Sequence, residues 1–581
     1  MHVRGRPAVK QATSAMYAST PKTLANASST GFWTYTCPCA LELADKARRI
    51  IHGQNHCTSV EGKLMTVTRR DVLATVGAAA AMLTTSRSAI AQSTTEAPAG
   101  PSPHPVSLPM QKTDSPLHYK DASELAALIR SKQVSPVEVM KAHLDRIESV
   151  NPKLNAIVTL LGDQALKNAK LAEAAVMNGS TLGPLHGVPF TAKDAIDTAG
   201  VPTQRGSKLY QGRIPTEDAT GVSRLKAAGA ILMAKTNLPE FSFGIETDNL
   251  LTGRTNNPWN LAHTPGGSSG GEAAAIAAGM SPLGFGSDVG ISIRGPAAHT
   301  GILGFKPTLG RIPTTGHWPQ APRRCWHVGP LARSVRDIAL SYSVLAGPDG
   351  IDGYGEGPLD MNADAQRQST RPLRIGWLAE RGFGPVAPDV VATVKAAARA
   401  LQDKGCVVEE VRLPALEQMN SLEIYSRFTI PERQAYFARF VGDRQSLLSK
   451  SIATYLEAPN PSLVEYVAAE QATERYKDIF AGFFENYDAF LCPVTPIHAP
   501  LHGLSEYVIN GVTVPAWHMV TATAPFNLSG LPALSMRFGT SDDNMPIAVQ
   551  LVSRWYAERT ILRVASILES VSPVRNLHPQ I

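Results

Sequence analysis

Cysteine is scarce in this 581-residue chain, and the little there is cannot staple it. Three of the six, Cys37, Cys39 and Cys57, lie near the start, and the others, Cys325, Cys406 and Cys492, are far apart. An odd number in the body excludes a fully paired disulfide framework. Cys37 and Cys39 with His56 and Cys57 fit no standard zinc spacing, and no His/Cys/Asp cluster with metal-ligand spacing occurs, so no metal or other cofactor is required. The absence of any internal repeat argues against a solenoid or propeller. G-x-x-x-x-G-K-[ST] and G-x-G-x-x-G are both missing, which removes the usual phosphate and dinucleotide loops.

A basic footprint for nucleic acid is missing as well, despite a net charge of +6. Residues 1–91 hold 11 Lys and Arg against 4 Asp and Glu, a net of +7, which leaves about −1 for everything after them. The positive balance belongs to the leader, and the body has no surplus with which to grip a polyanion.

That leader has an organisation of its own. From Met65 it reads MTVTRRDVLATVGAAAAMLTTSRSAIA, with paired Arg69 and Arg70, an apolar run from Val72 to Leu83, and Ala89-Ile90-Ala91 before Gln92. These are the parts of a secretory signal of the twin-arginine kind, and the apolar run is too short for an ordinary membrane span. The reading expects translation to start at Met65, residues 1–64 to be a non-native extension, 65–91 to be the signal, and 92–120 to be a Pro/Ser-rich linker. The mature protein is then periplasmic or secreted.

The body has 43% hydrophobic and 18% charged residues in the whole-chain composition, enough for a large core without staples. One catalytic domain over 121–581 is expected. Ser135, Pro136 and Glu138 form a capping box that opens a helix with Val137, Met140, Leu144 and Ile147 on one face. Short apolar runs at Val188–Ala192, Ile231–Ala234 and Leu283–Gly286 alternate with helix-sized segments, which predicts an α/β fold: a mostly parallel or mixed central sheet flanked by helices. The C-terminal runs Phe490–Pro493 and Pro546–Leu551 are expected to complete it. Residues 355–480 read as mostly helical and carry no motif, a candidate substrate-shaping region. Lys193 follows the first run directly, at the carboxyl end of a strand, where such sheets display chemistry.

The window PGGSSGGEAAA (265–275) and then GSDVGISIRGP (286–296) is the most informative. Glycines around Ser268 and Ser269 allow close backbone approaches. The helix that follows is expected to have a serine cap, Glu272 in its first turn and Gly279 at its end, so that its positive pole faces those serines. GGSSG also matches the G-x-S-x-G elbow with Ser268 as nucleophile, but an elbow must follow a strand and NPWNLAHTP (257–265) reads as a loop.

GVPFTAKD (187–194), KTNLPE (235–240), GGSSGGE (266–272), SDVGISIR (287–294), GFKPT (304–308), GPLAR (329–333), NLSGLP (527–532) and PIAVQL (546–551) resemble the amidase signature family in order and spacing, across about 121–569. The resemblance implies a Ser–cis-Ser–Lys triad with Ser292 as nucleophile, Ser268 as bridge and Lys193 as base. It implies an oxyanion hole from the backbone N–H groups of Val289, Gly290, Ile291 and Ser292, with Ser269, Asp288 and Arg294 in support. Serine needs a base to become a nucleophile, and lysine can be that base only when neutral, a state that burial favours. The implied activity is hydrolysis of a small-molecule amide. No nucleic acid and no membrane span are expected, and a homo-oligomer is compatible with the sequence. The chain departs from the family at Ile291, where a second glycine is usual. A β-branched residue does not readily take positive φ, so the hole is either intact, with the isoleucine side chain narrowing the pocket, or distorted. Two rival roles keep the fold: a catalytically impaired binding protein, and the A-type component of an amidotransferase that works on aminoacyl-tRNA.

Overall fold

The computed structural model describes residues 115–355 and 371–581. The expected extension, signal and linker up to residue 114 lie outside the described residues. The last six residues assigned to the linker contain one 3₁₀ turn, Leu117–Tyr119, and the Tyr119 phenol accepts a hydrogen bond from Arg146.

The expected strand runs all form. In chain order the strands are β1 (Ile157–Leu160), β2 (Pro189–Lys193), β3 (Ile231–Thr236), β4 (Leu283–Asp288), β5 (Leu303–Lys306), β6 (His327–Ala332) and β7 (Arg374–Trp377). They continue with β8 (Val407–Glu410), β9 (Ala489–Pro493), β10 (Glu506–Ile509), β11 (Val512–Pro515), β12 (Ala533–Thr540) and β13 (Pro546–Val552). Eleven of them make one sheet in the order β1-β3-β2-β4-β6-β5-β12-β13-β9-β7-β8, and β10 pairs with β11 as a separate hairpin. Pairs β2–β3, β2–β4, β7–β8 and β7–β9 are parallel, while the other six neighbouring pairs are antiparallel. The sheet is therefore mixed rather than mostly parallel.

Why these segments are central is visible in their burial. Every residue of β2, β3, β4, β5, β6, β9 and β13 is buried, as befits short continuous apolar runs covered on both faces by helices. The edge strand β8 keeps both ends exposed. The helix Pro136–Leu154 starts with the predicted box: Glu138 N–H donates to Ser135 Oγ at 3.0 Å, and Ser135 N–H donates to Glu138 Oε2 at 2.8 Å. Its Met140 and Ile147 enter the core, with Val137 and Leu144 packed partly against it.

Where it is described, the region 355–480 is mostly helical but not wholly so. It contributes β7 and β8 to the sheet as well as the helices Pro388–Asp403, Ser421–Val441, Lys450–Glu457 and Leu463–Phe483. Those two strands are four residues long, too short for a period to register in the sequence. Among the described residues no helix is long and apolar enough to cross a membrane.

Candidate active site

Four elements meet at the carboxyl ends of β2 and β4. β2 ends on Lys193, and β4 ends on Asp288, immediately before the loop that carries Ser292. The loop before the helix Gly270–Ala277 supplies Ser268 and Ser269. No strand leads into that loop; residues 257–267 contain only one isolated bridge, His263 to Leu501, so the elbow geometry is absent. The Gly267–Ser268 peptide is cis.

Lys193 is completely buried, and its Nζ lies 2.6 Å from Ser268 Oγ and 3.1 Å from Ser287 Oγ. Burial strips the ammonium of its hydration and pulls its pKa down to about 7, against the opposing pull of Asp288 and Glu272. Lys193 makes no ion pair with the adjacent Asp194. Asp194 pairs with Lys235 at 3.5 Å, and Lys235 also donates to Ile196 O and Thr203 Oγ1. Glu272 accepts from Thr191 Oγ1 and from Thr236 Oγ1, the latter at 2.7 Å, and burial raises its carboxyl to about 7. Burial thus moves the Glu272 and Lys193 pKa values toward each other, each toward its neutral form.

The Ser292 loop is held by its neighbours. Asp288 Oδ2 accepts from Ile293 N–H at 3.0 Å and Arg294 N–H at 3.3 Å. The Arg294 guanidinium grips the same carboxylate with Nε and Nη2, both at 3.0 Å, which holds Asp288 below the usual carboxylate range. Arg294 further donates to Thr523 O, Gln550 Oε1 and Asn527 Oδ1, and Asn527 Nδ2 donates to Asp288 Oδ1 at 2.9 Å. From the other side, Ser269 N–H donates to Ser292 O at 3.1 Å, and Ser269 Oγ donates to Ser287 O. Among the described residues, the N–H groups of Val289, Gly290, Ile291 and Ser292 enter no hydrogen bond, and Ser292 is 5% exposed. Four consecutive free donors in a pinned loop are what a developing oxyanion needs.

Ile291 has no positive φ. Its side chain is 4% exposed. It is buried in the core, where a Cβ built on Gly295 would lie 2.6 Å from Ile291 Cγ1. The extra side chain lies against the helix Arg294–Thr300 and leaves its N–H free. The expected serine cap is also different: Ser269 makes no side-chain cap bond, and Thr247 Oγ1 instead accepts from Gly270 N–H at 3.1 Å.

The Amidase family profile matches residues 138–562. The chain belongs to the amidase family. This amidase-family protein is 35% identical over 486 residues to the A component of glutamyl-tRNA(Gln) amidotransferase from Acidothermus cellulolyticus, covering 78% of this chain and 95% of that one. Its fold is similar to a bacterial aryl acylamidase of the amidase signature family, with a TM-score of 0.72, 30% identity, and coverage of 79% of this chain and 97% of that one. It is also similar to 6-aminohexanoate cyclic dimer hydrolase, with a TM-score of 0.71, 30% identity, and coverage of 81% and 99%.

In this amidase-family site the tertiary structure adds residues that sequence reasoning passed over. Ser287, Asn527 and Gln550 lay inside the recognised windows without a role. Tyr425 and Arg433 lay in the unmotifed region, where nothing signalled them. A Cβ built on Gly290 would lie 2.6 Å from Tyr425 Oη, so this phenol covers the Ser292 loop. Among the described residues, no group of three or more His, Cys, Asp or Glu is placed to hold a metal ion.

Proposed function

We propose that this protein hydrolyses a carboxylic amide through an acyl-enzyme on Ser292. The observation behind the proposal is the fully buried Lys193 amine, 2.6 Å from Ser268 Oγ and with its pKa drawn down to about 7. Neutral Lys193 accepts the Ser268 hydroxyl proton as Ser268 accepts that of Ser292, and Ser292 Oγ bonds to the amide carbonyl carbon. The oxyanion takes hydrogen bonds from the 289–292 loop. The relay returns the proton to the amide nitrogen as the C–N bond breaks, and a water activated by the same relay releases the acid. No step needs a cofactor.

The expected test outcome is that Ser292→Ala lowers kcat by about 10⁴-fold or more with folding intact, Lys193→Ala nearly as far, and Ser268→Ala strongly. Turnover retained in the Ser292 variant would sink the assignment. Failure of the folded protein to react with a fluorophosphonate would favour the impaired binding protein.

A second reading, the amidotransferase component, is favoured by the 35% identity to such a protein. A strict requirement for ATP and aminoacyl-tRNA would establish it, and turnover of simple amides by the isolated chain would exclude it. The leader at 65–91 supports export, with the mature chain starting near Gln92. Recovery of the protein in the cytoplasmic fraction with residues 65–91 still attached would overturn that.

A further inference from the structure

Arg433, on the helix Ser421–Val441, is 4% exposed and has no carboxylate within ion-pair distance among the described residues. Its Nη2 donates to Tyr425 Oη at 2.7 Å, and the Tyr455 phenol also lies against the guanidinium. The carboxylates of its own helix are committed elsewhere, Glu432 to Arg324 and Glu423 to Arg427. Its other neighbours are the rings of Phe243 and Tyr425, 5.6 and 5.4 Å from the guanidinium carbon, together with Cys325. Burial pushes both Tyr455 and Cys325 up to about 12, so none of these groups offers a negative charge near neutrality. A buried cation without an anionic partner is costly to keep unless something compensates it.

Its position says what could. Arg433 touches Tyr425, and Tyr425 covers Gly290 of the Ser292 loop. On the other side it touches Phe243, which with Glu240, Glu246, Ser449 and Trp517 lines an open groove of about 470 Å³. The segment Gly244–Glu246 of that groove lies against the Ser268 loop, since a Cβ built on Gly267 would lie 2.7 Å from Gly244 O. Phe243 links the guanidinium to the groove, and Tyr425 links it to Gly290 in the loop with the free N–H groups. The guanidinium's planar fork of donors matches a carboxylate, where a lysine would offer only a point charge.

We propose that Arg433 is a specificity-determining residue that binds a carboxylate on the substrate, so that the amide cleaved is one bearing a free carboxylate. This rests on the serine hydrolase reading above, and Arg433 takes no part in bond making.

Binding separates it from turnover. The Ser292→Ala protein is titrated with succinamate, glutaramate and adipamate and with their neutral methyl esters. At least one acid is expected to bind at least tenfold tighter than its ester. Arg433→Met should collapse that ratio toward one, a loss of roughly ten- to 100-fold, and Arg433→Lys should restore part of it. A ratio near one across all three pairs, or a ratio untouched by Arg433→Met, overturns the proposal. If Arg433→Met fails to fold by circular dichroism, the parent ratio and Arg433→Lys decide. Fluorophosphonate labelling of Ser292 in the parent keeps the two readings apart. Labelling without carboxylate preference sinks the Arg433 role alone, and carboxylate binding without labelling sinks the serine mechanism alone.

Discussion

Lys193 and Glu272 show how far burial can bend ordinary residue chemistry. Both are completely buried, both have pKa values displaced to about 7, and each stabilises the other's charged form. If Lys193 must be neutral to accept a proton, kcat/KM rises as pH passes upward through about 7. An anionic Glu272 favours the ammonium, so Glu272→Gln removes that support and is expected to move the acid limb to lower pH. A pH–rate profile of the two proteins checks it; an unmoved or upward-shifted limb would mean that Glu272 does not tune the lysine. The lysine itself was legible, because the run before it ended where α/β sheets present their chemistry. In the sequence Glu272 is only a first-turn helix residue, since nothing local announces that Thr191 of β2 and Thr236 of β3 converge on it.

Among elements, the loop between β4 and the helix Arg294–Thr300 carries the most consequence. Its shape comes from the Asp288 carboxylate below and the Ser269 N–H beside it. Ile291 adds a hydrophobic contact onto Gly295. Truncation by Ile291→Ala is expected to cost about 2 to 5 kcal/mol of stability, measured by denaturant unfolding, because a buried side chain is replaced by a cavity. A loss below about 0.5 kcal/mol would show that the side chain is not packed as described. The helix Ser421–Val441 makes the opposite point about legibility. Its buried stripe, Tyr425, Phe428, Thr429, Arg433, Gln434, Phe437 and Val441, has good helical spacing. Polar Arg433 and Gln434 lie on that stripe while Ile424, Ile430 and Phe440 lie off it, so the apolar period that sequence reading depends on is blurred.

For the molecule as a whole, an eleven-stranded sheet with buried centre and thin edges predicts uneven stability. Hydrogen exchange followed by mass spectrometry should find the amides of β8 and of the β10–β11 hairpin exchanging well before those of β4, β5 and β12. Equal protection across these segments would contradict the sheet order. The longer strand runs, the start of the helix Pro136–Leu154 and the windows around Lys193, Ser268 and Ser292 were determined by the sequence itself, because hydrophobic period, capping chemistry and motif spacing are local. Strand order across the sheet, the pairing of Asp194 with Lys235, the burial of Ile291 and, among the described residues, the isolation of Arg433 from any carboxylate were decided only by the tertiary structure. Each depends on which distant segments meet, and burial, which sets the charge state of every group in the site, has no value until they do.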